Sequence, residues 1–287
     1  MEGIKNKYIY DYPRPAVTTD CVIFSFDGHD LRVLLIQRGN HPYKGCWAFP
    51  GGFLRMNETL EEGALRELEE ETGLKPELVE QFHAFSSVER DPRERVITVA
   101  FYAIVKMSEV HGGDDACDAK WFRIDDVPHL AFDHDYILRV AQKQLKEKIH
   151  FQPIGFELLD EHFTIPQLQR LYESILGVQF DRRNFYRKMM QLRLLDPVYE
   201  EEMPQFHGPH QEMRNRDIDE LFGKRERLSK KPSRADNMSF MSATEPKKKK
   251  EAENMTRTEV GRKPKFYKFN IRQYLKLKED SGFKLEF

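Results

Sequence analysis

The chain has 287 residues, 39% of them hydrophobic and 33% charged. That is enough for two modest domains, and no apolar run approaches the roughly 20 residues that cross a bilayer. The N-terminal stretch MEGIKNKYIYDYPRP lacks the apolar core of a secretory signal. Three scattered cysteines (Cys21, Cys46 and Cys117) suggest neither a disulfide framework nor a zinc site, so no membrane partner and a reducing cytoplasm are expected. The formal charge of −2 conceals an acidic first half suited to cations (residues 1–150, 19 Lys and Arg against 26 Asp and Glu) and a basic remainder suited to a polyanion (27 against 22).

Ala16–Phe26 (AVTTDCVIFSF) is rich in β-branched and aromatic residues and is predicted to be a strand. Asp27-Gly28 follows as a turn, and Leu31–Gln37 as the partner strand. Trp47–Pro50 leads into Gly51-Gly52, where backbone without side chains can approach a phosphate or metal closely. In the next segment Gly52, Glu58, Arg66, Glu67, Glu70, Glu71 and Gly73 fall at the spacing G-x5-E-x7-R-E-U-x-E-E-x-G-U, with Leu68 and Leu74 at the aliphatic positions U. If Thr59–Thr72 is helical, Glu67, Glu70 and Glu71 stand at i, i+3 and i+4 on one face, and such like charges repel unless a cation lies among them. Leu60, Ala64 and Leu68 supply an adjacent apolar stripe to bury against a sheet. Glu61, Glu62 and Glu69 read as solvated charges, but folding alone does not account for the rest of the pattern.

The pattern is the Nudix box, and residues 16–148 resemble a Nudix domain of the ADP-ribose-pyrophosphatase type. The resemblance implies an α/β fold, the Nudix α/β/α sandwich with a mixed sheet, and hydrolysis of a nucleoside diphosphate linked to another moiety. It implies Mg (or Mn) held by Glu67, Glu70 and Glu71 beside Gly51, with Glu67 as ligand or base. Arg66 would orient a box carboxylate through its fork of donors, and Glu58 would support the site from the helix start.

Further strands are expected at Glu80–Val88, Arg95–Val105 and Ala119–Phe122. A helix then follows over Phe132–Lys148, with Ile137, Val140, Ala141 and Leu145 at helical spacing. Candidate ligand contacts are Arg38 after the second strand, Gly52 in the turn, and Arg90 and Arg93 in the Glu89–Arg93 loop. The alternatives are a surface arginine at 38 and a tight turn of solvated charges at 89–93. The stretch Ala131–Asp135 (AFDHD), with Trp121-Phe122 before it, resembles the ADP-ribose-directed branch of the family. His134 is therefore a further ligand candidate, with a helix cap or surface histidine as the alternative.

A second unit begins near His150, giving an N-terminal arm (1–15), a first domain (16–150) and a second (151–287). Thr164, Pro166 and Gln167 form a helix-start signature, and Leu168, Leu171, Ile175 and Leu176 make the apolar face that follows. After the Gly177–Phe180 turn, Asp181 caps a second helix, Arg182–Leu192, with Phe185, Met189 and Leu192 inward. Strand-like segments Leu194–Tyr199 and Lys265–Phe269 are separated by a long polar, lysine-rich insert at about 200–262, of the kind that is disordered or functional. Ile218–Arg227 within it could be a short helix, and Ile271–Phe287 reads as a helix with an extended tail.

Two helices, a tight turn and two strands outline a winged helix-turn-helix, whose second helix lies in the DNA major groove. Arg182, Arg183, Asn184, Arg187 and Lys188 are the candidate contacts; a small helical cap with a solvated basic face is the alternative. FTIPQLQRLYESILGVQFDRRNFYRKM and the later GRKPKFYKF resemble the C-terminal domain of the Nudix-related transcriptional regulators, whose members control NAD-metabolism or sugar-utilisation genes. The resemblance implies a homodimer that binds double-stranded operator DNA and answers to an ADP-ribose-like nucleotide or a sugar. The insert interrupts the expected wing, and the box is complete where such regulators often carry a degenerate one. An alternative is therefore a Mg-dependent ADP-ribose pyrophosphatase whose C-terminal unit serves dimerisation or protein contact.

Overall fold

A computed structural model describes residues 10–113, 116–199 and 266–281. By its contacts the chain forms two units, one of Met1–Asp196 with Phe266–Phe287 and one of Pro197–Lys265. Only 197–199 of the second are described, so the insert and the helix expected at Ile218–Arg227 lie outside the described residues. No described helix is long and apolar enough to cross a membrane.

The first part of the chain builds a seven-stranded mixed sheet. Strand β1 (Ala16–Phe26) lies parallel to β6 (Val96–Ile104) and antiparallel to β2 (Leu31–Arg38), and β5 (Glu80–Phe85) closes one side against β6. The short β3 (Trp47–Ala48) and the longer β7 (Ala116–Arg123) pair with β2, and β4 (Gly51–Phe53) pairs with β1. The strand expected to run to Val88 ends at Phe85, and the one expected from Ala119 begins at Ala116. Gly51-Gly52-Phe53, which carries no strand signal of its own, becomes a strand because Asp20, Thr19 and Thr18 of β1 lie opposite it.

Helix α1 (Leu60–Thr72) starts at a capping box, in which the Thr59 hydroxyl accepts from the Glu62 N–H and the Glu62 carboxylate accepts from the Thr59 N–H. Glu62 therefore fixes the helix start as well as facing solvent. The helix ends at Gly73, whose left-handed backbone suits a residue without a Cβ. Its Ala64 and Leu68 bury against Cys21, Ile23, Val99 and Phe101. Alternate residues point to the other sheet face, where Asp20 and Tyr102 meet helix α2 (His134–Lys148) through His134 and Lys148. That sandwich of helix, mixed sheet and helix is the expected one. Helix α2 starts at His134 rather than at Phe132, whose backbone (φ 54) lies in the left-handed region and cannot extend the helix.

A 3-10 turn at Ile154–Leu158 leads to α3 (Ile165–Leu176), which carries the expected Thr164–Gln167 capping box and ends at left-handed Gly177. Helix α4 (Arg182–Leu192) is capped by the Asp181 carboxylate on the Asn184 N–H. Phe185 and Met189 are buried, while Leu192 is only half-buried. Strands β8 (Leu195–Val198) and β9 (Phe266–Phe269) form a two-stranded sheet, and Phe163 bridges Tyr267 beside it. Helix α5 (Ile271–Ser281) follows, with Tyr274 buried. Two helices, a turn and a two-stranded wing make the winged helix.

Candidate functional site

The α1 carboxylates gather around one guanidinium. Arg66 grips Glu58 in a fork, Nε to Oε2 at 2.8 Å and Nη2 to Oε1 at 2.6 Å, and its Nη1 donates to Glu67 at 2.7 Å and to Glu70 at 3.0 Å. The hydrogen bonds from Arg66 push the Glu58 carboxyl down to about 2, and Glu58 in turn raises the Arg66 pKa. The Arg66 fork, expected on a box carboxylate of the metal set, goes instead to Glu58 at the helix start, and Glu67 and Glu70 share its Nη1.

Glu71 stands apart from this cluster. It is buried, and its Oε2 accepts the Gly51 N–H at 2.8 Å. Burial, with the charges of Glu67 and Asp20 adding to it, pushes its pKa up to about 8. Burial also raises the Glu67 pKa despite the Arg66 bond. The glycines permit this closeness: a Cβ on Gly51 would lie 2.1 Å from the Thr19 carbonyl oxygen, and one on Gly52 would lie 2.5 Å from the Glu67 carboxylate.

These groups border a cavity of about 490 Å³ that also holds Arg38, Gly52, Arg90, Arg93 and His134, so every ligand candidate reaches its wall. Their surroundings differ. The Arg38 guanidinium stacks over the Phe132 ring at 4.8 Å, and burial and the nearby Arg93 lower its pKa. Arg93 lies over the rings of Phe53 (5.3 Å) and Phe132 (5.8 Å) and pairs with Asp91. Burial alone would raise the Asp91 carboxyl, but the Arg93 hydrogen bonds hold it below its usual value.

Arg90 and His134 are committed within the protein. Arg90, with 4% of its side chain exposed, donates from Nε and Nη2 to both Asp133 oxygens at 3.1 and 2.8 Å and lies 3.6 Å from Asp20. It is not the solvated charge of a tight turn. His134 is buried against Phe49, its Nδ1 accepts the Phe49 N–H at 3.0 Å, and burial lowers its pKa. The ring is therefore neutral with its proton on Nε2, 3.6 Å from Asp20, and is neither a cap nor a surface residue. Asp20, Phe53 and Arg55 carry no individual signal in the sequence, and Phe132 and Asp133 stand out only as part of the Ala131–Asp135 stretch. A polar triplet, Thr18-Thr19-Asp20, inside an otherwise apolar strand was the available signal.

Among the described residues no group of three or more His, Cys, Asp or Glu side chains stands ready-made to hold a metal. Arg66 draws Glu67 and Glu70 to itself, while Glu71 turns to Gly51. The chemistry of the donors nevertheless fits a hard divalent cation: all are carboxylate oxygens on one cavity, and the buried Glu71 accepts a backbone hydrogen bond from Gly51 at one of its two oxygens, Oε2.

On the second domain, α4 presents Arg182, Arg183, Asn184 and Arg187 to solvent, with Lys188 half-buried. Arg187 Nη2 donates to Asn184 Oδ1 at 2.9 Å. Among the described residues none of the four basic side chains is paired with an acidic one. Exposed guanidinium groups without acidic partners are suited to phosphates.

A carboxylate-lined cavity in a helix–sheet–helix sandwich, followed by a winged helix, defines a two-domain Nudix protein. Residues 14–141 match the NUDIX domain family, and residues 155–211 match the NrtR DNA-binding winged helix domain. The chain is 35% identical over 186 residues to the ADPR responsive transcriptional repressor NtrR of Acinetobacter baylyi, covering 63% of this chain and 74% of that protein. It is 44% identical over 128 residues to the ADP-ribose pyrophosphatase of Methanocaldococcus jannaschii, covering 45% of this chain and 73% of that one. Among solved structures, Shewanella oneidensis NrtR complexed with a 27mer DNA aligns with a TM-score of 0.53 at 32% identity, over 63% of this chain and 85% of that chain. A MutT/nudix family protein from Enterococcus faecalis aligns with a TM-score of 0.60 at 32% identity, over 68% and 87%. The chain belongs to the Nudix-related transcriptional regulator family.

Proposed function

We propose that the protein is a DNA-binding transcription regulator of the cytoplasm, acting as a homodimer, whose Nudix cavity takes ADP-ribose or a closely related nucleoside diphosphate. The observation that carries the DNA half is the exposed basic face of α4, which a stand-alone pyrophosphatase does not need. Arg182, Arg183 and Lys188 suit phosphate contacts, and the Arg187–Asn184 pair suits base edges. For the ligand half, Arg38 and Arg93 offer guanidinium groups to a diphosphate, and the Phe53 and Phe132 rings offer apolar faces beside them. Both named relatives concern ADP-ribose, which supports that choice over a sugar.

A second reading, hydrolysis of the ligand, is favoured by the complete box facing the cavity. Glu67, Glu70 and Glu71 would hold Mg (or Mn), which would neutralise diphosphate oxygens and make bound water more acidic. The protein's own part is positional: Arg66 fixes Glu67 and Glu70, Gly51 fixes Glu71, and the cationic and aromatic walls orient the diphosphate. The two readings are compatible, since hydrolysis would remove the inducer.

The test begins with duplexes selected by the protein from a random-sequence pool. Salt-sensitive binding to a palindromic sequence that ADP-ribose weakens is the expected result. Failure to enrich any sequence at moderate salt would overturn the regulator. Mg-dependent AMP release from ADP-ribose, abolished by Glu70→Gln, tests hydrolysis; no release by the unmodified protein would leave a sensor only.

A further inference from the structure

Asp133 sits at the start of α2, where an aspartate ordinarily caps the helix, yet its side chain makes no capping hydrogen bond. Both its oxygens are taken by Arg90, which is almost wholly buried. A buried fork-to-fork pair is stiff, because each partner fixes the other in plane as well as in distance. Arg90 thereby joins the loop between β5 and β6 to the first turn of α2. On either side of Asp133, Phe132 and His134 both reach the cavity, while Asp133 itself is not among the cavity residues.

Phe132 is the cavity end of this arrangement. Its ring lies under the guanidinium groups of Arg38 and Arg93 and meets Tyr43 edge-on at 4.7 Å, and its backbone is held at φ 54. A bulky residue at positive φ persists only where its surroundings hold it there. An anionic ligand that recruits Arg38 and Arg93 removes two of the contacts that hold Phe132. The backbone step from Phe132 to Asp133 is also the entry to α2, because the Asp133 carbonyl accepts from the Tyr136 and Ile137 N–H groups. Helix α2 is 15 residues long, a rod of roughly 22 Å. Its far end packs against α3, where the Lys146 ammonium lies 3.5 Å from the Cβ position of Gly177 at the α3 cap.

We infer that Asp133 is a positioning residue that fastens the cavity wall to α2, and that through it an anionic nucleotide in the cavity alters the winged helix. This rests on the regulator reading above and adds the route. The clamp keeps the first turn of α2 fixed to the loop that carries Arg90, so a change at Phe132 turns the helix as a body instead of fraying its end. Without the clamp the first turn absorbs the change and α3 does not receive it. A two-state element biased from both ends is what coupling between separate sites requires.

The experiment uses the full chain with Asp133→Asn, which keeps the shape and one acceptor, and Asp133→Ala. ADP-ribose affinity is measured by calorimetry. Affinity for a duplex selected by the unmodified protein is measured by fluorescence anisotropy, with and without saturating ADP-ribose. The expected result is a coupling of about 5- to 150-fold in the unmodified protein that falls below about threefold in Asp133→Asn. Either ligand alone should still bind within a few-fold. Hydrogen exchange supplies a readout that a merely structural role would not move: ADP-ribose should change protection across 165–192 in the unmodified chain and only around the cavity in the variants. Undiminished coupling, or unchanged spread of protection, in a variant that melts as the unmodified protein does would overturn the inference and leave the regulator reading intact. Absence of any ADP-ribose effect on the unmodified protein's duplex binding would overturn both. If Asp133→Ala fails to fold, Asp133→Asn decides.

Discussion

The two charged regions of this protein are built on opposite principles. Around the cavity most charges are matched inside the protein, Arg38 and Glu71 excepted: Arg66 to three glutamates, Arg90 to Asp133, and Arg93 to Asp91. Along α4 the arginines stand in solvent, and none has an acidic partner among the described residues. Matched, half-buried charges specify a geometry and are costly to break, because the survivor is left desolvated. Unmatched surface charges add little to folding and remain available to an outside polyanion. The contrast predicts that removing a charge shared by several cavity partners damages fold and function together, whereas α4 substitutions damage function alone.

The largest effect should come from Arg66→Gln, which breaks the matched side outright. Glu58, Glu67 and Glu70 would then face each other without their shared cation. A stability loss on the order of 3 kcal/mol is expected in urea denaturation, together with loss of the Mg-dependent AMP release that the hydrolysis reading requires. An unchanged urea midpoint would mean that the cluster is as loosely held as a surface network, and the comparison would fail.

Gly52→Ala separates geometry from folding within the same cavity. The added methyl would lie 2.5 Å from the Glu67 carboxylate, which is the far end of a flexible side chain and can swing away. The fold should survive while AMP release falls by about a hundredfold, as a misplacement of about 1 Å can cause. Gly51→Ala, whose methyl would meet the Thr19 backbone instead, should lower the melting temperature itself. Equal melting losses in the two variants would show that the Glu67 side chain has no room to move.

On α4 the reverse separation is expected. Arg183→Ala and Arg187→Ala should leave stability within about 0.5 kcal/mol. If Arg183 contacts a phosphate, its loss should reduce the salt slope of duplex binding by about one, uniformly across sequences. If Arg187, braced by Asn184, reads a base edge, its loss should relax preference at one position of the duplex. Identical slopes and preferences in both variants would assign both residues the same role.

How much of this was legible beforehand follows the same division. Local rules place the capping box at Thr164 and the glycines that bound both helices at 73 and 177, because those signals lie within a few residues of the helix end; the Thr59–Glu62 box is just as local, but reading Glu62 as a solvated charge hides it. The exposed α4 arginines were equally legible, as helical spacing alone separates them from Phe185 and Met189. Legibility failed where a residue's role comes from a distant partner. His134 was named without its surroundings, since its bond comes from Phe49, 85 positions away. Arg90 was read as a ligand contact or a solvated charge because Asp133, 43 positions on, gave no sign of pairing with it. Strand β4 was missed because only β1 makes it a strand.

A smaller effect tests whether matching extends beyond the cavity. Lys148 bonds to Glu80 and to the Tyr102 hydroxyl, and Glu157, on the 3-10 turn, lies near enough to feel Lys148 and Glu80. Burial raises the Glu157 pKa to about 7; Lys148 offsets part of this and Glu80 adds to it. Lys148 is thus already shared, and Glu157 is the less well matched carboxylate. Its folded pKa exceeds the ordinary 4.5, so folding favours its protonated form. That contribution is fully present below about pH 4.5 and is lost as pH rises through about 7. Glu157→Gln imitates the protonated carboxyl at every pH. It should melt like the unmodified protein at pH 5 and be more stable at pH 8 by about 1 kcal/mol or more, a few degrees in melting temperature, the attraction to Lys148 being already contained in the folded value. If the variant is instead destabilised at pH 8, Lys148 serves Glu157 as fully as Arg66 serves its glutamates, and matched charge extends beyond the cavity, which is then one instance of it.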